Sequence, residues 1–459
     1  MALIRPYRLR PVPPTVAVLT DDGLALDEHG ELLELDRLPK GVRCYADWDT
    51  IQRLLEAGRG EAFCWDGEPI RWRHRDFGDE HWTRRHTDVS VIRLPFPGQG
   101  RALAGLTLWR DWLGSYGASP QGSLGSTGMS LLRASLRREL WTARGQLPPI
   151  RWTLGGRQEL AVPQWTRAYG AEHFDLPAAY ARTLGELRYG GVWRQVDAPS
   201  DPSFWAQADR PVFAHATVKV PGSLRVGPLP RRPRKRPPSN WDALLLPVCY
   251  PVGTTLRGTW TLEELNEARD AGCTVAIDRL WVHLTETGDL GRPFEQWWAN
   301  VQEGRALGGF AGLLAKASAN ALWGQFCISE GERTLVAYRK GRKVNLRLPA
   351  PGGGMPRSWD LAELVTGRVR AQLASAMRQA GERLLSAHTD GFWALPGGAE
   401  PDGWLVKDRA AMIELLGPQM LRYWRHGADE PLYRVSGVPP SQAARTFEWF
   451  WNRPEERAS

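Results

Sequence analysis

Apolar positions along this chain change their spacing several times, and each change marks an element. Thr15-Val16-Ala17-Val18-Leu19 is a continuous apolar run followed by Asp21-Asp22-Gly23, which predicts a strand and a turn. Asp47 to Leu55 reads as a short helix. Ser126 to Trp141 reads as a longer one, with Leu131, Leu132, Leu136 and Leu140 recurring on one face. Phe174-Asp175 closes a strand, and the chain then turns so that Tyr180 lies just beyond. Lys316 to Gly324 is alanine-rich and helical. Thr261-Leu262-Glu263-Glu264 has capping-box spacing and opens a helix that stops at Gly272, before a strand over Cys273 to Ile277. Leu361, Leu364, Val365, Val369, Leu373 and Met377 define the inward stripe of a helix that runs to Ala380 and ends at Gly381. Two short apolar stretches then flank Asp390 and predict a hairpin with the acid at its bend. Runs of strands interleaved with helices make this an α+β chain.

Composition narrows the class. At 42% hydrophobic and 24% charged residues the chain is globular, and its 459 residues suffice for two or three domains. No apolar run approaches the ~18 residues of a membrane span. Met1 to Arg10 has basic residues with no apolar core behind them, so a secretory signal is not expected and the expected compartment is the cytoplasm. The five cysteines are scattered and form no C-x-x-C pair, which argues for buried thiols over zinc or disulfides. The net charge of +8 comes mostly from arginine, which favours phosphate-bearing partners. The proline-studded basic run Arg231 to Pro238 cannot be helical; a solvated linker and a DNA-backbone contact both fit it. The 23 tryptophans serve either as core fillers or as platforms for bases.

Three segments share one chemistry. Asp175 and Asp390 are carboxylates at the ends of strands, where a rigid sheet projects an acid. Lys316, Asn320 and Trp323 are spaced i, i+4, i+7 and share one helix face. A lysine, an amide and an indole on one stripe make a poor core but suit a triphosphate and a base. Taken singly, Asp175 also fits a helix cap, Lys316 a solvated face, Tyr180 a core tyrosine and Arg305 a surface charge.

In this order the segments resemble motifs A, B and C of the family B DNA polymerases, closest to the compact phage, plasmid and organellar branch that includes protein-primed enzymes. Leu154-Gly155-Gly156-Arg157 resembles the Gly-Gly-Arg element that precedes motif A in that branch, and Thr254 to Gly272 resembles its segment leading into the fingers. The resemblance spans about residues 125–440. It implies a right-hand polymerase that adds dNMPs from dNTPs to a primer 3′-hydroxyl on primer–template DNA. Asp175, Asp390 and the Leu176 carbonyl are expected to hold two Mg²⁺ ions, with Mn²⁺ as a substitute. Lys316, Asn320 and Arg305 are expected to bind the nucleotide, and Tyr180 to sit under its sugar and exclude a 2′-hydroxyl. Gly155, Gly156 and Arg157 are expected to contact the template backbone, and Trp323, His388 and Thr389 to lie against the DNA. A terminal protein or a primase is the implied source of primer.

The pattern also departs from the family. His388 replaces the first acid of D-T-D, Trp323 replaces a tyrosine in motif B, and motif A lacks its serine and final proline. Arg422 and Arg434 are candidates for the primer contact, since the usual lysine cannot be aligned. The expected division is 1–125 reduced exonuclease-like domain, 126–200 connecting region and first palm part, 201–330 fingers and insertion, 331–399 second palm part, and 400–459 small thumb. Asp47-Trp48-Asp49 is the nearest match to an exonuclease D-x-E, with Trp65-Asp66-Gly67 as a remnant of a second motif, and proofreading is expected to be absent. Rival readings are a translesion or self-priming polymerase, and a catalytically idle DNA-binding pseudo-polymerase.

Overall fold

The computed structural model describes residues 2–4, 16–20, 22, 24–34, 42–46, 50, 53, 64–65, 68–69, 90–93, 102–121, 123–137, 140–142, 144–150, 155–197, 210–231, 250–285, 291–326, 336–340, 343–347, 358–417, 420–435 and 440–452. The chain forms two units and crosses between them repeatedly. One contains Met1–Ala143, Leu184–Gly190 and Arg292–Ser358; the other contains Arg144–Thr183, Gly191–Gly291 and Trp359–Ser459.

The first unit opens with a mixed sheet. Its strands are β1 (Val16–Leu19), β2 (Leu24–Asp27), β3 (Leu32–Glu34), β4 (Arg43–Ala46), β5 (Cys64–Trp65), β6 (Glu68–Pro69) and β7 (Ser90–Arg93), in the order β3-β2-β1-β4-β7-β5-β6. β1 pairs antiparallel with β2 and parallel with β4. A strand so placed is covered on both faces, and Val16 to Leu19 are accordingly all buried. The expected strand is present, and of the predicted turn Asp22 alone is described. The D-x-E candidate Asp47-Trp48-Asp49 and Asp66-Gly67 lie outside the described residues. So does most of the predicted 47–55 helix, of which Thr50 and Arg53 are helical.

Helices α1 (Ala102–Ser115) and α2 (Leu124–Ser135) follow. The predicted helix to Trp141 is corrected: α2 stops at Ser135, and Leu136 is already extended, with φ −74° and ψ 129°. Leu140 opens a short strand, Leu140–Thr142, that pairs with Ala2–Ile4. Leucines at helical spacing were therefore shared between a helix and a strand. At the other end Ser123 caps α2, its side chain accepting from the Ser126 N–H at 3.1 Å.

The second unit takes up the chain with β8 (Arg157–Leu160), β9 (Thr166–Asp175), α3 (Ala179–Glu186), β10 (Val192–Asp197), β11 (Val212–Lys219), β12 (Thr255–Thr261), α4 (Leu262–Asp270) and β13 (Thr274–Leu284). The last three residues of α3, from Leu184, belong to the first unit. The expected capping box is present: Thr261 accepts from Glu264 N–H, and Glu264 reaches back to Thr261 N–H. β10, β13, β11 and β12 form an antiparallel sheet over a core that includes Val218, Trp260, Leu265 and Leu280. Of the basic run only Arg231, exposed, is described; the residues after it lie outside.

The first unit resumes with α5 (Glu295–Ala306) and α6 (Gly309–Gln325). α6 packs closely on α2, because Gly128 leaves room only for a hydrogen where Leu322 Cβ would stand 3.1 Å from an added methyl. The second unit then continues with α7 (Trp359–Ala380), β14 (Leu384–Thr389), β15 (Gly391–Ala394), β16 (Leu405–Gly417), β17 (Met420–Trp424), β18 (Leu432–Val435) and α8 (Pro440–Trp451). Seven antiparallel strands form one sheet in the order β8-β14-β15-β9-β16-β17-β18. Trp393, Ile413, Leu415 and Leu421 fill one cluster on it, and Phe174 stacks on Phe392 at 4.9 Å. Each such side chain contributes about 1.5–3 kcal/mol on burial, which makes the sheet a rigid base for whatever its strand ends carry. Among the described residues no helix is long and apolar enough to cross a membrane.

Candidate active site

β9 and the β14–β15 hairpin are neighbours in the sheet, and their ends bring two acids together. Asp175 pairs with Gly391, and the Leu176 N–H donates to the Asp390 carbonyl at 2.9 Å. Asp390 sits in a two-residue bend, since His388 pairs with Gly391. Thr389 holds a positive φ of 53°, a conformation a β-branched residue rarely adopts. Its hydroxyl donates to Asp390 Oδ1 at 2.7 Å. Burial raises the Asp390 pKa above the usual carboxylate range; the Thr389 hydrogen bond opposes this and the negative charge of Asp175 adds to it. Two carboxylates in one another's field attract a cation. One is present: the Lys407 ammonium lies 2.9 Å from Asp175 Oδ1.

Three of the expected neighbours are at hand. Tyr180 starts α3 and is 7% exposed, and burial, with the nearby Asp390 charge, pushes its pKa up. Gly156 is held tightly: a Cβ there would lie 2.5 Å from Tyr180 Oη and 2.8 Å from Thr389 Cα. Leu176, also buried, accepts at its carbonyl from Ala179 N–H at 3.3 Å.

Arg157 is a correction. It was expected on the template backbone, but its side chain is 1% exposed and turned inward. It pairs with Glu159, donates to the Gly227 carbonyl at 2.5 Å, and lies 4.1 Å over the Tyr250 ring. A buried guanidinium needs a carboxylate, and Glu159, two residues along the same strand face, supplies it. The Gly155–Gly156 turn is held by a second buried arginine. Arg370 donates to the Gly155 carbonyl at 2.9 Å and pairs with Glu264 and Glu363, both buried. Burial pulls its pKa down, yet the two carboxylates raise it well above the ordinary value.

His388 is half-buried and hydrogen-bonded to Ser386 Oγ at 3.0 Å. Burial, with Arg434 nearby, lowers its pKa to about 3, so it is neutral where the resemblance expects an acid. His173, stacked on Trp393 at 4.9 Å, is lowered to about 2, first by burial and then by Arg434. Arg422 is occupied within the protein, paired with Glu414 and Glu448 and lying over Trp424, Phe447 and Trp451. As a primer contact it is therefore corrected to a clamp on α8.

The remaining predicted residues belong to the first unit. On α6 the buried positions are Ala311, Gly312, Leu314, Ala315, Ser318, Ala319 and Leu322. Lys316, Asn320 and Trp323 occupy the other, half-exposed stripe, as their spacing predicts. Arg305 is half-buried on α5.

The sequence reading missed Lys407 and Arg370. Lys407 is one of three successive charged residues on β16 and carried no motif. Arg370 lies outside the predicted apolar stripe of α7, and its burial follows from Glu363 on the same helix and from Glu264, which only the tertiary fold brings to it.

No protein-family model matches the chain, and no curated protein matches it. Solved structures do. The chain aligns with phi29 DNA polymerase complexed with single-stranded DNA at a TM-score of 0.58 and 11% identity, over 95% of each chain. With the same polymerase in a post-translocation complex with primer-template DNA the TM-score is 0.57 and the identity 12%, again over 95% of each chain. Its orthorhombic crystal form aligns at 0.52 and 14%, over 72% of this chain and 63% of that one. At such identities the likeness is one of fold: this chain shares the fold of phi29 DNA polymerase.

Proposed function

We propose that this chain is a template-directed DNA polymerase that adds dNMPs to a primer 3′-hydroxyl, with dNTPs and primer–template DNA as its substrates. The observation that carries this reading is the juxtaposition of Asp175 and Asp390 at adjacent strand ends, on the fold of a DNA polymerase. Asp175, Asp390 and the Leu176 carbonyl are hard oxygen donors of the kind Mg²⁺ prefers, and the ammonium already at Asp175 marks the spot as one that binds positive charge. Among the described residues no group of three or more His, Cys, Asp or Glu converges. When bound, two such ions supply charge stabilisation for the attacking hydroxyl and the leaving pyrophosphate.

The chain's own residues have separate tasks in this reading. The sheet holds the acids at adjacent strand ends, where a misplacement of about 1 Å would cost about a hundredfold in rate. Tyr180 sits under the sugar and selects against ribose. Gly156 lets the template turn, Tyr180 and Thr389 approach one another. Lys316, Asn320 and Arg305 bind the triphosphate, and Trp323, His388 and Thr389 touch the DNA. The seven-stranded sheet serves as the palm, α5 and α6 with the segment before them as the fingers, and the chain beyond about residue 400 as a small thumb. The N-terminal sheet serves as a DNA-binding scaffold without proofreading. A terminal protein or a primase supplies the primer.

Primer extension with four dNTPs and Mg²⁺, run beside NTPs and beside unprimed template, tests this. The wild type extends the primer, and Asp175→Ala and Asp390→Ala each lose extension while keeping DNA binding. Equal extension by the two variants and the wild type would refute the assignment, and extension by none of the three would leave the idle DNA-binding reading in its place.

A further inference from the structure

Lys407 is directed at the acid pair by a fault in the sheet register. Along β9 and β16, His173 pairs with Asp408, but the next residue, Phe174, pairs with Val406. Lys407 is the extra residue of a β-bulge. Bulges re-aim one side chain out of the regular alternation and recur beside functional sites. Here the re-aimed group is an ammonium, and it meets Asp175 Oδ1 at 2.9 Å. The two charges that follow it on β16 are engaged elsewhere: Asp408 with Arg425 and Arg409 with Glu172. Lys407 thus has a dedicated partner, and that partner is one of the two acids assigned to the metal ions.

We propose that Lys407 is a built-in counter-cation of the Asp175–Asp390 pair, which a divalent ion must displace, so that this lysine sets the metal affinity of the site. The inference rests on the polymerase reading, because that reading makes Asp175 a ligand. The same carboxylate oxygen cannot hold both cations. An arriving divalent ion breaks the lysine contact and is repelled by the ammonium it displaces. The ion pair is half-exposed, with 45% of the Lys407 side chain and 21% of that of Asp175 accessible, so its strength is that of a screened surface pair. The expected effect on metal affinity is therefore moderate, about threefold to tenfold. In the free protein the lysine stabilises two neighbouring acids that would otherwise repel one another.

The test is direct binding of Mn²⁺ to the full-length chain without DNA or nucleotide, followed by the loss of the free-ion electron paramagnetic resonance signal. Lys407→Met keeps most of the stem and removes the charge, and it should bind Mn²⁺ about threefold to tenfold more tightly than the wild type. Lys407→Arg keeps the charge and should bind like the wild type, which separates charge from packing. Asp175→Asn and Asp390→Asn should weaken binding. If Lys407→Met binds no more tightly while Asp175→Asn weakens binding, the counter-cation role is wrong and the polymerase reading stands. If both Asn variants bind as the wild type does, the acids are not a metal site and the polymerase reading fails with the proposal.

Discussion

Gly156→Ala adds one methyl group at the point where three parts of the site meet. The new Cβ would lie 2.5 Å from Tyr180 Oη, 2.8 Å from Thr389 Cα and 2.9 Å from Thr389 Cβ. Ordinary carbon contacts are ~3.5–4.0 Å, so the neighbours must open by roughly 1 Å. Neither gives way cheaply. Thr389 is already at a strained positive φ, and Tyr180 is buried at the start of a helix. Overpacking of this kind costs about 1–3 kcal/mol. For a unit of this size that is a fall in melting temperature of about 2–4 °C per kcal/mol. Thr389 precedes Asp390, so displacement by several tenths of an ångström reaches the acid, and extension should slow by about ten- to a hundredfold. Two further variants separate strain from general instability. Tyr180→Phe removes the oxygen nearest the added methyl, so the double variant should recover part of both losses. Gly272→Ala places a methyl in open space at φ +88°, at the end of α4, so it should lose stability and keep its extension rate. A Gly156→Ala protein that melts and extends like the wild type would refute the close-approach reasoning.

Removing the Arg370 guanidinium leaves Glu264 and Glu363 buried without their cation; Arg370→Met should cost about 3–5 kcal/mol by chemical denaturation. A variant as stable as the wild type would show that the two buried acids do not need the Arg370 cation. Arg422→Ala should destabilise α8, read as increased amide exchange over Ala443–Phe447, with primer affinity unchanged; lost primer affinity without loosening of the helix would restore the primer contact. Tyr180→Val should lower discrimination against NTPs by at least about tenfold in single-turnover incorporation; unchanged discrimination would remove Tyr180 from beneath the sugar.

The sequence by itself determined the elements whose signals are local. The capping box fixed the start of α4, because the two reciprocal hydrogen bonds lie within four residues. The apolar run at Val16 to Leu19, the stripe of α7 and the half-exposed Lys316–Asn320–Trp323 face followed from period alone. So did the placing of Asp175 and Asp390 at strand ends. Their meeting was expected through a resemblance and not through spacing, since only the pairing of β9 with β15 brings the two ends together. Tertiary structure alone decided the rest. It cut the Leu131–Leu140 pattern at Ser135, because Leu140 finds its partner in a strand near the N-terminus. It turned Arg157 inward, because the Gly227 carbonyl and the Tyr250 ring, from distant parts of the chain, join the neighbouring Glu159 in a better site for a guanidinium than solvent. It aimed Lys407 at Asp175 through a bulge, a shift of register by one residue. Regular alternation in a sequence predicts which face a side chain takes only while the register holds, and a register is a property of two strands.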